Sequence, residues 1–184
     1  NFANTGGGMY GNTDSDSTLI GCIFTDNSAL YEGGGMCNVG ASDPTLTDCT
    51  FTGNTAQQGG GMANQVSSPS LTGCAFTENT ANVDGGGIYC HNSSNPTLTN
   101  CVFDGNDAAQ DGGGIYCRDS SPTLTNCTLM NNASSVGGGV YCINSSPGFL
   151  NCLIKLNTAS FGSGIYCYGN GSIPTFAHCT IENN

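Results

Sequence analysis

The chain has 184 residues, enough for one domain with a continuous core; 8% of them are charged, 37% are apolar and 29 are glycine. Thr, Ser and Asn carry most of the polar surface and no apolar stripe repeats at 3.6 residues, which excludes a charged disordered chain and a helical protein alike. The net charge is −11 with only two cations, Arg118 and Lys155, so no basic face for nucleic acid or an anionic membrane can be assembled, and no apolar run approaches the ~20 residues of a bilayer span.

Taken in chain order, the first landmark is a Gly-Gly-Gly string. It begins at Gly6, Gly33, Gly59, Gly85, Gly112 and Gly137, with a degenerate copy at Gly162-Ser163-Gly164, and returns every 25 to 27 residues. Behind each triplet comes a short alternating segment. In Ile115-Tyr116-Cys117, parity places Ile115 and Cys117 on one face and Tyr116 on the other. A polar turn follows, and then a Cys after Leu-Thr-X or its equivalent, at Cys22, Cys49, Cys74, Cys101, Cys127, Cys152 and Cys179. Leu98 and Cys101 have opposite parity, so burying both requires a bend between them. Asn100 stands there, and Asn tolerates the left-handed backbone of a sharp bend. Five residues beyond each Cys of this column lies an Asn, and Asn1 fits the same column.

Three short strands per coil, joined by turns, predict an all-β fold: a right-handed parallel β-helix of about seven coils, each of 25–27 residues. Neighbouring coils pair as parallel in-register strands about 4.8 Å apart, which gives a rod roughly 34 Å long. Like residues then stack on like. The column Asn27, Asn54, Asn79, Asn106, Asn132 and Asn157 is expected to bond amide to amide along the stack. The Gly column permits tight turns and close backbone approach. A leucine-rich repeat would need a Leu lattice, a nonapeptide calcium roll a nine-residue period, and a propeller blade 40 or more residues.

The pattern Gly86-Gly87-Ile88 with Phe76-Thr77-Glu78-Asn79 resembles the repeats of chlamydial polymorphic outer-membrane proteins. The string from Ser120 to Leu129, SSPTLTNCTL, is similar to repeats of large bacterial proteins with pectate-lyase-like right-handed β-helices. The resemblance covers essentially the whole chain, specifies the fold well and the activity poorly. It implies a secreted or surface-displayed protein with a role in adhesion. Phe149-Leu150-Asn151-Cys152 and Ser163 depart from the pattern.

Twelve cysteines point to an oxidising, extracellular setting. A second Cys column follows the Gly triplet at Cys90, Cys117, Cys142 and Cys167, with Cys37 shifted by one residue. Parity places both columns inside. Small buried hydrophobes are one reading of them. The other is a disulfide within each paired coil: Cys37–Cys49, Cys90–Cys101, Cys117–Cys127, Cys142–Cys152 and Cys167–Cys179. Sequence does not supply the Cα separations that would decide. His91 and His178 are isolated, and no Cys-X-X-Cys spacing suggests zinc or haem.

Chemistry is sparse. A lyase of pectate type needs clustered carboxylates and a cationic base, and Arg118 and Lys155 are the only candidates for the base. Arg118 beside Asp119 reads as a turn ion pair. Lys155 falls one coil below Glu182, as a cross-strand charge pair. Asn12-Thr13-Asp14 resembles one polygalacturonase motif, but the rest of a two-carboxylate constellation does not follow. No enzyme activity is expected and no catalytic residue is assigned. Acidic residues gather in two places. Asp14 and Asp16 share a loop near Asp43, and Asp84 stacks on Asp111 with Glu32 two coils before it. Calcium would relieve such stacked charges, which makes Asp84, Asp111, Asp14 and Asp16 its candidate ligands; solvated turn carboxylates are the plainer alternative. No other cofactor is expected. Outward Thr pairs flank a buried Leu at Thr45/Thr47, Thr97/Thr99 and Thr123/Thr125, with Ser70/Thr72 imitating them. They suit a glycan or an ordered water surface, and Thr is also simply a good exposed strand former.

Residues 1–184 are read as one uncapped domain, hence a segment of a larger protein or assembly. Its expected partners are further coils or copies stacked end to end, glycans or a cell surface, with neither nucleic acid nor membrane insertion. The expected function is a non-enzymatic secreted or cell-surface structural or adhesion protein. The alternatives are a subunit of an extracellular filament and a non-catalytic part of a carbohydrate-active β-helix.

Overall fold

A computed structural model describes residues 1–184. The chain winds as a parallel β-solenoid with no helix. Three sheets run through all seven coils. Sheet II holds the strands behind the Gly triplets, from Met9–Asn12 through Ile88–His91 and Ile115–Arg118 to Ile165–Tyr168. Sheet III holds the Thr-flanked strands, from Thr18–Ile20 through Thr97–Thr99 to Thr175–Ala177. Sheet IV follows one residue-pair turn later, from Ile23–Thr25 through Val102–Asp104 to Thr180–Glu182. All pairs in these three sheets are parallel and in register, for example Ile88↔Ile115, Leu98↔Leu124 and Phe76↔Phe103.

A fourth sheet adds to the three strands per coil expected from the sequence. Sheet I comprises Phe2–Thr5, Ser28–Glu32, Thr55–Gln58, Thr80–Asp84 and Asp107–Ala108. Beyond it only isolated bridges continue, such as Ala133↔Thr158. This arm is where coil length varies. Four residues separate the ladder Asn from the next triplet in some coils and five in others, so the pairing slips between Ala3 and Thr5, Ser28 and Glu32, and Ala81 and Asp84. One small residue per strand faces inward here (Ala29, Ala56, Ala81, Ala108), which leaves too short an alternation to read as a strand.

Corners are made by left-handed residues in columns. The bend between sheets III and IV is Gly21, Asp48, Gly73, Asn100, Asn126, Asn151 and His178, with φ between 51° and 65°. Asn100 is therefore left-handed as its position requires, at φ 54°. The residue before each ladder Asn is left-handed too: Asp26, Gly53, Glu78, Gly105, Asn131 and Leu156. A Cβ built on the middle glycine of a triplet meets the next coil's backbone. At Gly86 it would lie 2.5 Å from both Asp107 O and Gly113 O, so this column is fixed by stacking distance as well as by turn geometry.

The core is one continuous cluster of 24 buried residues. Phe24, Phe51, Phe76 and Phe103 form a face-to-face stack with centroids 4.6 to 4.9 Å apart, continued by Leu129 and Ile154. Beside it runs the Asn ladder. Asn79 is fully buried. Its Nδ2 donates to Asn106 Oδ1 at 2.9 Å and to Phe51 O at 2.9 Å. Its Oδ1 accepts from Asn54 N at 3.1 Å and Asn54 Nδ2 at 2.9 Å. Asn54, Asn106, Asn132 and Asn157 repeat that pattern, and Asn27 and the terminal Asn1 and Asn184 join the same column. Each interior ladder amide thus uses both donors and both lone pairs inside the core, which is the condition for a buried polar group to stabilise rather than destabilise.

Candidate functional site

Four features of the rod carry chemistry: the outer face of sheet II, the Thr face of sheet III, the polar turn between those sheets, and the cysteines. On sheet II, residues two and four of each strand point away from the core. They form a second apolar cluster of Cys37, Ala63, Tyr89 and Tyr116, with Val39, Tyr141 and Ile143 packed against it. Tyr89, Tyr116, Tyr141 and Tyr166 stack at 5.0 to 5.5 Å. The Tyr column is interrupted by the small side chains of Cys37 and Ala63, which pair in register with Tyr10 and Tyr89. His91 lies against Tyr89, and its Nε2 comes within 3.9 Å of Glu32 Oε1, past the coil that carries Ala63.

The acidic column lies along this face. Glu32, Gln58, Asp84 and Asp111 follow one another in register, so Asp84 does stack on Asp111 with Glu32 two coils away. Burial, and then the neighbouring Asp111 carboxylate, push Asp84 up to about 6. Burial also raises Glu32 and Asp111. Burial and then the Arg118 charge lower His91. Asp84 Oδ1 and His91 Nε2 are buried without a hydrogen-bond partner. Arg118 Nε pairs with Asp119 Oδ2 at 3.8 Å, as its place in the turn suggested. Lys155 lies in register with Glu182.

Asp14 and Asp16 sit apart from that column, in the turn between sheets II and III. Asp16 Oδ1 accepts from Asp43 N at 2.8 Å. The four candidate calcium ligands are therefore divided between two places, and no three His, Cys, Asp or Glu side chains converge in a metal-holding group. That turn contains two further ladders that the sequence reading missed. The Ser column donates upward: Ser42 N to Ser67 Oγ, Ser67 N to Ser94 Oγ, Ser94 N to Ser120 Oγ and Ser120 N to Ser145 Oγ. The adjacent column runs the other way, as in Asn95 N to Ser68 Oγ and Ser146 N to Ser121 Oγ. Their signal was present as Ser at a constant place before each Pro-Thr-Leu or its equivalent, but mixed Asp, Ser and Asn in the second column hid the regularity.

Sheet III presents two in-register outward columns. Thr45, Ser70, Thr97 and Thr123 form one, and Thr47, Thr72, Thr99 and Thr125 the other. They end at Gly148 and Leu150. Leu46, Leu71, Leu98 and Leu124 between them are buried.

All twelve cysteines are unbonded in this structure, and one of them, Cys37, does not lie where parity placed it. Cys37 cannot bridge to Cys49, because it belongs to the outer cluster of sheet II while Cys49 lies in the main core. The one-residue shift that set Cys37 apart in the sequence moves it to the other face. In the other four coils the two cysteines belong to separate columns: Cys90, Cys117, Cys142 and Cys167 follow one another in register in sheet II, while Cys101, Cys127, Cys152 and Cys179 donate to backbone carbonyls beside the corner.

No curated protein matched the chain, and no solved structure did. The family model described as "Right handed beta helix region" matches residues 1–109 and 84–184, which together span the chain. With seven parallel coils wound around one core, the chain belongs to the right-handed β-helix family.

Proposed function

We propose that this chain is a non-enzymatic structural or adhesion segment of a secreted or surface protein, a rod whose sides are its contact surfaces. One observation carries the reading. The columns that repeat from coil to coil along the rod are spent inside the scaffold, as the Asn ladder, the Gly triplets and the left-handed corners. The outward columns change along the rod, from Thr to Gly and Leu on sheet III and from Cys and Ala to Tyr on sheet II. The cations favour the same reading, since Arg118 and Lys155 lie beside carboxylates in separate sheets. The resemblance of its repeats to those of polymorphic outer-membrane proteins supports an extracellular place. The test is a glycan array together with turnover of uronic-acid and neutral polysaccharides. Binding without new chain ends is the expected result; cleavage would overturn the reading.

A second reading is end-to-end assembly into a filament. Each coil pairs with its neighbours through parallel strands in sheets II, III and IV, and a coil of another copy would continue the same pairing. Electron microscopy over a concentration series tests it: rods that lengthen with concentration support a filament, and discrete rods throughout exclude it.

A further inference from the structure

Between Thr45 and Thr125, the outward side of sheet III carries one chemistry only. Thr45, Ser70, Thr97 and Thr123 form one column and Thr47, Thr72, Thr99 and Thr125 the other. Every one of these side chains is a hydroxyl, exposed or half-exposed. None is hydrogen-bonded to another group of the chain. In the neighbouring turn, by contrast, Ser94 Oγ donates to His91 O at 2.7 Å and Ser120 Oγ to Arg118 O at 2.9 Å. The scaffold uses the turn hydroxyls and leaves those of sheet III free. The chain has 13 acidic residues and two cations, and no sheet III strand contains any of them. The four strands also turn no aromatic ring and no amide outward. Their register does not slip, unlike that of sheet I. The hydroxyls are therefore spaced by the fold itself, about 4.8 Å from coil to coil and about 6.6 Å between columns, which is two residues along a strand.

We propose that this face binds ice, with the hydroxyl array laid against an ordered lattice of water. The inference stands apart from the adhesion reading, whose contacts fall to the other sides of the rod. Spacing alone would suit several partners, and the chemistry of the face narrows them. A protein interface is anchored by Trp, Tyr or Arg, and none stands here. A dissolved small ligand is held in a concave site with a few placed polar groups, and no cavity opens on this rod. A Thr hydroxyl offers one donor and two acceptors, the same kinds of group that a lattice water offers and needs. A charge would draw water radially around itself and disrupt that lattice, and the face is neutral. Thr is stiff at χ1, so the array is ordered before it meets its ligand and loses little entropy on contact. Each hydrogen bond exchanged with water is worth little by itself. A periodic solid meets the whole array at once, which a dissolved molecule of a few atoms does not.

The experiment cools a single ice crystal in a solution of the folded chain on a nanolitre osmometer. The expected result is a faceted crystal that stops growing over a gap below its melting point, and the gap widens with protein concentration. Thr99→Lys sets a charge in the middle of the array and removes most of the gap; Thr72→Lys, one coil away, repeats the loss. Thr77→Lys points outward from sheet IV, beside the buried Phe76, and leaves the gap unchanged. The unsubstituted chain decides the question by itself, so a variant that fails to fold does not blunt the test. A round crystal with no gap, as in an inert globular protein at equal mass concentration, would overturn the proposal. So would a gap that survives both sheet III lysines, a gap lost equally in Thr77→Lys, or an arrayed glycan whose binding Thr99→Lys abolishes. A glycan array without any binding counts against the adhesion reading and leaves the ice result to stand on its own.

Discussion

Replacing Asn79 with Ala removes one rung of the ladder and leaves the rest of its coil unchanged. Two donors on Asn54 lose their acceptor, the backbone N–H at 3.1 Å and the Nδ2 amide at 2.9 Å. Phe51 O and Asn106 Oδ1 lose a donor on the other side. All of this lies where Asn54, Asn79 and Asn106 are fully buried, so water does not replace the lost partners. An unsatisfied buried group costs about 1–3 kcal/mol. Counting only the two stranded Asn54 donors, the substitution costs roughly 2–6 kcal/mol, a large share of the ~5–15 kcal/mol that holds a typical domain together. Asn79→Asp tests the same rung differently. It keeps an acceptor for Asn54 but sets a carboxylate against Phe51 O and Asn106 Oδ1, so it is more damaging than Ala at neutral pH and recovers in acid. Urea unfolding followed by circular dichroism measures both, with Thr97→Ala on the exposed face as a control expected within about 0.5 kcal/mol of the parent. A loss below about 1 kcal/mol for Asn79→Ala would refute the reasoning, because the ladder would then be ornament on a core held by apolar stacking alone.

Three further outcomes are expected. Gly86→Ala places a Cβ 2.5 Å from two carbonyl oxygens of the next coil, neither of which can move without shifting a strand, so thermal unfolding should fall by far more than the ~1 kcal/mol gained from reduced chain entropy elsewhere. Asp84 has a folded pKa near 6 against a usual 3.8; a raised carboxyl binds its proton more tightly in the folded chain, so its stabilisation is present below pH ~4 and lost as pH rises through ~6. Urea midpoints should therefore fall across that window by the equivalent of at most about 3 kcal/mol, and Asp84→Asn should flatten the slope. A midpoint that rises from pH 4 to 6 by an Asp84-dependent amount contradicts it. Cys101→Ser keeps two carbonyl acceptors within reach and should cost under about 1 kcal/mol, whereas Cys117→Ser buries a hydroxyl with no carbonyl beside it and should cost about 1–3 kcal/mol; equal losses in calorimetry would erase the distinction between the two columns.

The features legible in the sequence were those set by identical residues at a constant spacing. The Asn column, the left-handed Asn100, the stacking of Asp84 on Asp111 and the Lys155–Glu182 register all follow from counting residues between landmarks. Features set by mixed residue types were hidden. The left-handed corner before each ladder Asn uses Asp26, Gly53, Glu78 and Leu156 in turn, which share no chemistry, because the neighbouring coils impose the backbone there. Sheet I escaped because its arms differ in length and slip in register. Cys37 was placed wrongly because a one-residue shift changes the face of a strand and not merely its alignment. The Thr columns were fully visible, but a periodic hydroxyl face is compatible with several partners, and spacing alone does not choose among them.

Hydrogen exchange at the ladder amides, followed by NMR, tests most directly whether the repeats are consumed by the scaffold. The side-chain amides of Asn54, Asn79, Asn106 and Asn132, and the backbone N–H groups bonded to them, should exchange only on opening of the coils and stand out among all side-chain amides of the chain. Exchange of those amides as fast as that of the exposed Asn100 and Asn126 would show that the ladder is not buried, and that the rod is built some other way.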